Sequence, residues 1–108
     1  MNSKTVSSVD DNVIEHLRCG TVQGVYATVD FGTDADITQS FDCQRQYAPR
    51  GPLVNTEFYV GWLDLYGHEH STVSTEATVK TLDDMLAMGV NVNFYMFHGG
   101  TNFGFTSG

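Results

Sequence analysis

The chain is short of positive charge, cysteine and long apolar runs, and each shortage closes off a class of function. Only 5 residues are Lys or Arg against 13 Asp or Glu, a formal net charge of -8. The five, Lys4, Arg18, Arg45, Arg50 and Lys80, are dispersed, so no basic patch can displace counterions from a phosphate backbone and no nucleic-acid partner is expected. No run approaches the roughly 18 apolar residues of a membrane span, and no span is expected. The opening MNSKTVSSVDDN lacks the apolar core of a secretory signal. The pattern N-x-[ST] does not occur. Cys19 and Cys43, the only 2 cysteines, have no metal-type spacing and their pairing stays open. His16, His68, His70 and His98 invite a metal reading. His68 and His70 are too close to share a helical face, however, and no third ligand is placed, so neither metal nor cofactor is expected. Gly99 to Gly104 is glycine-rich but lacks the Gly-Lys-Ser/Thr ending of a phosphate loop.

What remains reads as an α/β chain. A short helix is expected over Asp10 to Arg18, before Gly20. Thr21 to Phe31, rich in Val, Tyr and Thr, predicts a strand. Asp36 to Tyr47 predicts a helix with Ile37, Phe41 and Gln44 along one side, ended by Pro49-Arg50-Gly51. Leu53 to Tyr59 is the next strand. Thr75 to Met88 is a second helix, with Ser74 as its cap, Glu76 in the first turn and Gly89 as its stop. Its apolar stripe is expected at Val79, Leu82 and Leu86, helped by Met85. Val90 to Phe97 closes the order strand, helix, strand, helix, strand, which suits parallel βαβ units.

The stretch Gly51 to Gly67, GPLVNTEFYVGWLDLYG, carries the chemistry. On a regular strand, residues two apart share a face, so Asn55, Glu57 and Tyr59 are expected to point one way and Val54, Thr56 and Phe58 the other. Likewise Asn91, Asn93, Tyr95 and Phe97 should oppose Val90, Val92, Phe94 and Met96. A carboxylate near a strand end, with an amide and a phenol on its face and Trp62 just beyond, is an uncommon combination. Most strand-end carboxylates are solvated charges, most strand tyrosines are packing residues and most strand asparagines satisfy nearby backbone. Asp30, ending the first strand, reads as structural.

The segments NTEFYVGWLDLYG and Asn93 to Gly104, NFYMFHGGTNFG, with QGVYATVDFG at Gln23 to Gly32, resemble the signatures of glycoside hydrolase family 35, the lysosomal-type β-galactosidases. The resemblance implies a β-galactoside substrate and retaining hydrolysis of terminal β-linked galactose through a covalent glycosyl-enzyme intermediate. Carried onto this chain, it makes Glu57 the catalytic nucleophile and Tyr59 and Tyr95 substrate-binding residues. By strand parity Asn55 and Asn93 are candidates to support the pocket through hydrogen bonds, and Trp62 is either a sugar platform or a loop anchor. The resemblance implies a (β/α)8 TIM barrel, of which these elements resemble strands six to eight with the intervening helices. At 108 residues the chain is short of the roughly 250 that such a barrel needs. The expectation is therefore that residues 1–108 are the C-terminal part of an incomplete catalytic barrel. Three strands would leave open edges and exposed apolar surface. The family's acid/base motif, of the form Glu-Asn-Glu-Tyr-Gly, does not occur here, and Asp64, Glu69, Asp83 and Asp84 do not match its context. The chain alone is thus expected to be inactive, with lysosomal or secreted residence inferred from the family. The alternatives are a carbohydrate-binding homologue without hydrolysis, which a retained Glu57 argues against, or a truncated product.

Overall fold

The computed structural model describes residues 3–7 and 20–100. Four strands, β1 (Ser3–Ser7), β2 (Tyr26–Gly32), β3 (Val54–Tyr59) and β4 (Asn91–Tyr95), form one sheet in the order of the sequence, all neighbours parallel. Two helices, α1 (Ile37–Tyr47) and α2 (Thr75–Ala87), connect β2 to β3 and β3 to β4. The α/β class and the parallel order stand as read from the sequence. The expected count of three strands does not, because β1 pairs with β2 from Ser3↔Tyr26 to Ser7↔Asp30. The helix expected over Asp10 to Arg18 lies outside the described residues, as do His16, Cys19 and residues 101–108.

Local chemistry sets the element ends. The Asp36 carboxylate accepts the Gln39 N–H at 2.9 Å and caps α1. The Ser74 hydroxyl accepts the Ala77 N–H at 3.1 Å and caps α2, whose first turn holds Glu76. At the far end of α2, Val90 N–H donates to Met85 O and Gly89 N–H to Leu86 O, with Gly89 at φ 72°. This paired closure satisfies carbonyls that the helix leaves open, and it uses the left-handed conformation that glycine adopts without strain. β2 begins five residues later than expected, at Tyr26, because Val22 to Val25 close a turn through Val25 N–H to Val22 O.

Helices and sheet share one core. Val29, Phe31, Phe41, Phe58, Met85 and Val90 are buried in it, with the Phe31 and Phe41 rings edge to face at 5.5 Å. Gln44, fully buried, fastens α1 to two strands: its Nε2 donates to Ala27 O at 2.9 Å and its Oε1 accepts the Val54 N–H at 3.1 Å. The buried side of α1 includes Phe41 and Gln44, as the sequence predicts, with Ile37 packed at its margin. That of α2 is rotated from expectation: Thr81 and Met85 are buried and Leu82 is half-buried, whereas Val79 and Leu86 are more than half exposed. A one-residue error in phase turns a helix face by about 100°, enough to move Val79 and Leu86 off the sheet.

The strand β3 is irregular at the point that matters. Against β2 its register runs Val29↔Asn55 and then Phe31↔Phe58, so three steps on β3 match two on β2. The same extra residue appears against β4, between Asn55↔Val92 and Phe58↔Phe94. This is a β-bulge at Thr56 and Glu57, and it breaks the two-residue alternation on which face assignments rest.

Candidate active site

Because of the bulge, Asn55 and Phe58 both turn toward the helices. Asn55 is fully buried there, its Nδ2 3.3 Å from Phe31 O and 3.7 Å from the Met85 sulfur. The expectation that Asn55 shares a face with Glu57 and Tyr59 is therefore corrected. Its tie to the site runs through the backbone instead: Asn55 Oδ1 accepts the Glu57 N–H at 3.1 Å. A bulge leaves one amide without a ladder partner, and the Asn55 side chain supplies that partner.

The opposite face carries Thr28 and Asp30 from β2, Thr56, Glu57 and Tyr59 from β3, and Asn93 and Tyr95 from β4. Register pairs Tyr59 with Gly32 and with Tyr95, placing the two tyrosines side by side. Thr28 and Thr56 meet hydroxyl to hydroxyl at 3.2 Å, and Asn93 Nδ2 donates to Thr56 O at 2.9 Å. Asn93 thus lies on the expected face and braces the bulge.

Glu57 and Tyr59 are joined directly: the Tyr59 phenol lies 2.8 Å from Glu57 Oε2 and 3.0 Å from Asp30 Oδ2. The Tyr59 ring is held edge to face by Trp62 at 5.6 Å and by Tyr95 at 5.9 Å between centroids. Around these groups opens a cleft of about 610 Å³, lined by Glu57, Tyr59, Trp62, Asp64, Tyr95 and Met96 among others. It sits at the carboxyl ends of β3 and β4, where parallel α/β folds place their reactive groups. Trp62 and Tyr95 are substantially exposed, at 52% and 40%, so each presents open aromatic surface.

The loop after β3 is clipped to itself. Asp64 accepts the Ser71 N–H at 2.8 Å and pairs with His70 Nδ1 at 2.7 Å. The Ser71 amide, and then His70, hold the Asp64 carboxyl below its ordinary range. His70 is exposed, and Asp64 engages it. Cys43 is a free thiol buried in the core, where burial pushes its pKa up. Among the described residues, no group of three or more His, Cys, Asp or Glu could hold a metal ion.

The site brings together Glu57, Tyr59, Tyr95 and Trp62 around the cleft, places Asn93 beneath it and sends Asn55 to the far side of the sheet. Sequence reasoning missed Asp30, whose carboxylate reaches Tyr59 from the next strand. The available signal was its place at the end of β2, beside the end of β3.

Parallel strands deliver a carboxylate and two phenols to an open cleft at their carboxyl ends, and the chain is an α/β domain. The sequence profile of glycosyl hydrolases family 35 matches residues 1–108, and the chain belongs to that family. It is similar to a beta-galactosidase of Felis catus, 61% identical over 92 residues that make up 85% of this chain and 14% of the relative. A beta-galactosidase of Bos taurus is 58% identical over 99 residues, 91% of this chain and 15% of the relative. One of Homo sapiens is 56% identical over 92 residues, again 85% and 14%. The chain thus spans about one seventh of the length of these relatives.

Proposed function

We propose that this chain carries the nucleophile of a retaining β-galactosidase, with Glu57 as the attacking carboxylate. The observation that carries the reading is the Glu57–Tyr59 contact at 2.8 Å in a cleft walled by aromatic rings. The Glu57 carboxylate attacks the anomeric carbon of a terminal β-linked galactose, and the glycosidic bond breaks as the aglycone oxygen takes a proton from a second carboxyl group. Water then attacks the glycosyl ester, giving up a proton to that second carboxylate, and galactose leaves with its configuration retained. Retaining enzymes hold the two carboxyl groups roughly 5 Å apart. Tyr59 steadies the nucleophile through its phenol, Tyr95 donates to a sugar hydroxyl, and Trp62 offers an apolar ring to the sugar face.

The second carboxyl group is not expected within this chain, and neither are the residues that read the remaining galactose hydroxyls. General acid and base assistance contributes about 10²- to 10⁴-fold, so the isolated polypeptide is expected to show no useful hydrolysis. In this reading β2, β3 and β4 are strands six, seven and eight of a (β/α)8 barrel, β1 is the strand before them, and residues 1–108 are the C-terminal part of the barrel. The full-length protein would work in the lysosome or outside the cell.

The test is mechanism-based labelling of the full-length protein with a 2-fluoro-galactosyl inactivator, followed by peptide mass mapping. Label on the peptide holding Glu57 is the expected result. A folded protein that takes up no label there would end the nucleophile assignment and favour a sugar-binding homologue without hydrolysis.

A further inference from the structure

The bond network around Tyr59 contains a residue that the proposed chemistry leaves unused. Asp30 is 1% exposed, and burying a carboxylate is costly unless it is held by specific partners. One partner is the Tyr59 phenol, 3.0 Å away, the same hydroxyl that lies 2.8 Å from Glu57. A phenol has one proton to give, so Asp30 and Glu57 share it between them, and fixing the phenol oxygen and ring plane fixes where that proton and the two carboxylates meet. The ring plane is held by Trp62 and Tyr95, and the oxygen is held from β2 by Asp30. The bulge that carries Glu57 belongs to β3 alone. Asn55 and Asn93 brace the bulge backbone, and an anchor on the neighbouring strand refers the Glu57 side chain as well to the rest of the sheet.

We propose that Asp30 is a positioning residue of this site, its buried carboxylate holding the Tyr59 phenol and, through it, the Glu57 carboxylate in line for attack. The inference rests on the reading of Glu57 as nucleophile and names the residue that aims it. Asp30 itself touches neither sugar nor leaving group.

The test uses the same inactivator on the full-length protein carrying this chain, with Asp30→Ala, Asp30→Asn, Tyr59→Phe and the double variant Asp30→Ala/Tyr59→Phe. Two quantities are read: the maximal rate of labelling at Glu57 and the inactivator concentration that gives half that rate. Asp30→Ala and Tyr59→Phe should each slow the maximal rate by about 10- to 100-fold, the range for losing one hydrogen bond to a charged group. The half-saturating concentration should change little. Asp30→Asn, whose amide can still hydrogen-bond the phenol oxygen, should recover part of the loss. The double variant should be no slower than the slower single one, since both changes remove the same linkage. A merely structural Asp30 would instead lower the folded fraction and leave the maximal rate per folded molecule unchanged.

Tyr59→Phe labelling at the wild-type rate would overturn the proposal, and so would losses that multiply in the double variant. Should Asp30→Ala fail to fold, Asp30→Asn and Tyr59→Phe decide the matter, because each exchanges or removes a single polar group. Failure of the wild-type protein to label at Glu57 is a different result: it removes the nucleophile reading and this inference with it.

Discussion

Asn55 and Glu57 lie on opposite faces of the sheet, yet the Asn55 side-chain oxygen accepts the Glu57 N–H at 3.1 Å. The bulge thus carries its own brace, fastened at its other end to Phe31 O and Met85. Replacing Asn55 by Leu, close in size but apolar, leaves the Glu57 amide and the Phe31 carbonyl without this partner. The expected cost is about 1–3 kcal/mol for each group left buried and unpaired. Denaturant unfolding of the full-length protein measures that cost. Labelling at Glu57 should fall further than stability alone accounts for, because the bulge loses its defined shape.

Gly51 faces a different constraint. Its φ is 109°, and a Cβ there would come within 2.7 Å of the Tyr26 hydroxyl, which itself donates to Pro52 O at 2.6 Å. Gly51→Ala combines a left-handed backbone with a clash, and conformational strain alone costs of order 1–3 kcal/mol. Thermal unfolding should show the loss. The penalty should be smaller in a Tyr26→Ala background, where the clash is gone and only the backbone strain is left.

Gln44 is the tie between α1 and the starts of β2 and β3. Gln44→Leu keeps roughly the same size and removes the bonds to Ala27 O and Pro52 O and from Val54 N–H. A loss of about 2–4 kcal/mol is expected if two buried backbone groups go unsatisfied. Gln44→Glu should do less harm at acid pH, where a protonated carboxyl can still donate to Ala27 O, than at neutral pH, where it cannot. Unfolding curves at two pH values separate the outcomes.

The loop clip at Asp64 gives a titration with a defined sign. Its carboxyl is held below the ordinary value of 3.8, first by the Ser71 N–H and second by His70. A carboxylate with a depressed pKa contributes its bonds above the unfolded value and loses them as pH falls through the folded one. The clip should therefore be more than half closed at pH 3.8 and reach its midpoint below it. An NMR titration of the Asp64 carboxyl should give a midpoint under 3.8. His70→Ala should raise that midpoint only partway, because the Ser71 amide, the larger influence, stays in place.

How much of this was legible in the sequence depends on the range of the interaction. The cap and stop of α2 were legible, since Ser74 and Gly89 act on groups within a turn of themselves; that Asp36 caps α1 rather than opening it was not. So were the order of elements from β2 to β4 and the gathering of Glu57, Tyr59, Trp62 and Tyr95, the last because register brings Tyr95 beside Tyr59. The strand β1 was not. Its sequence SKTVS has one apolar residue, and only pairing with β2 makes it a strand. Nor was the face of Asn55, because counting by twos assumes a regular strand and the extra residue of a bulge leaves no compositional mark. The link from Asp30 to Tyr59 joins residues 29 apart in sequence and depends on the alignment of two strands, which no local pattern encodes.

The strand order carries a consequence for how such a chain is made. Each strand pairs with the one that precedes it in the sequence, so the sheet can grow in the order of synthesis, every new strand arriving at an edge that the ribosome has already released. Asp30 precedes Glu57 and Tyr59 in the chain, so β3 can reach a neighbour that has already been made.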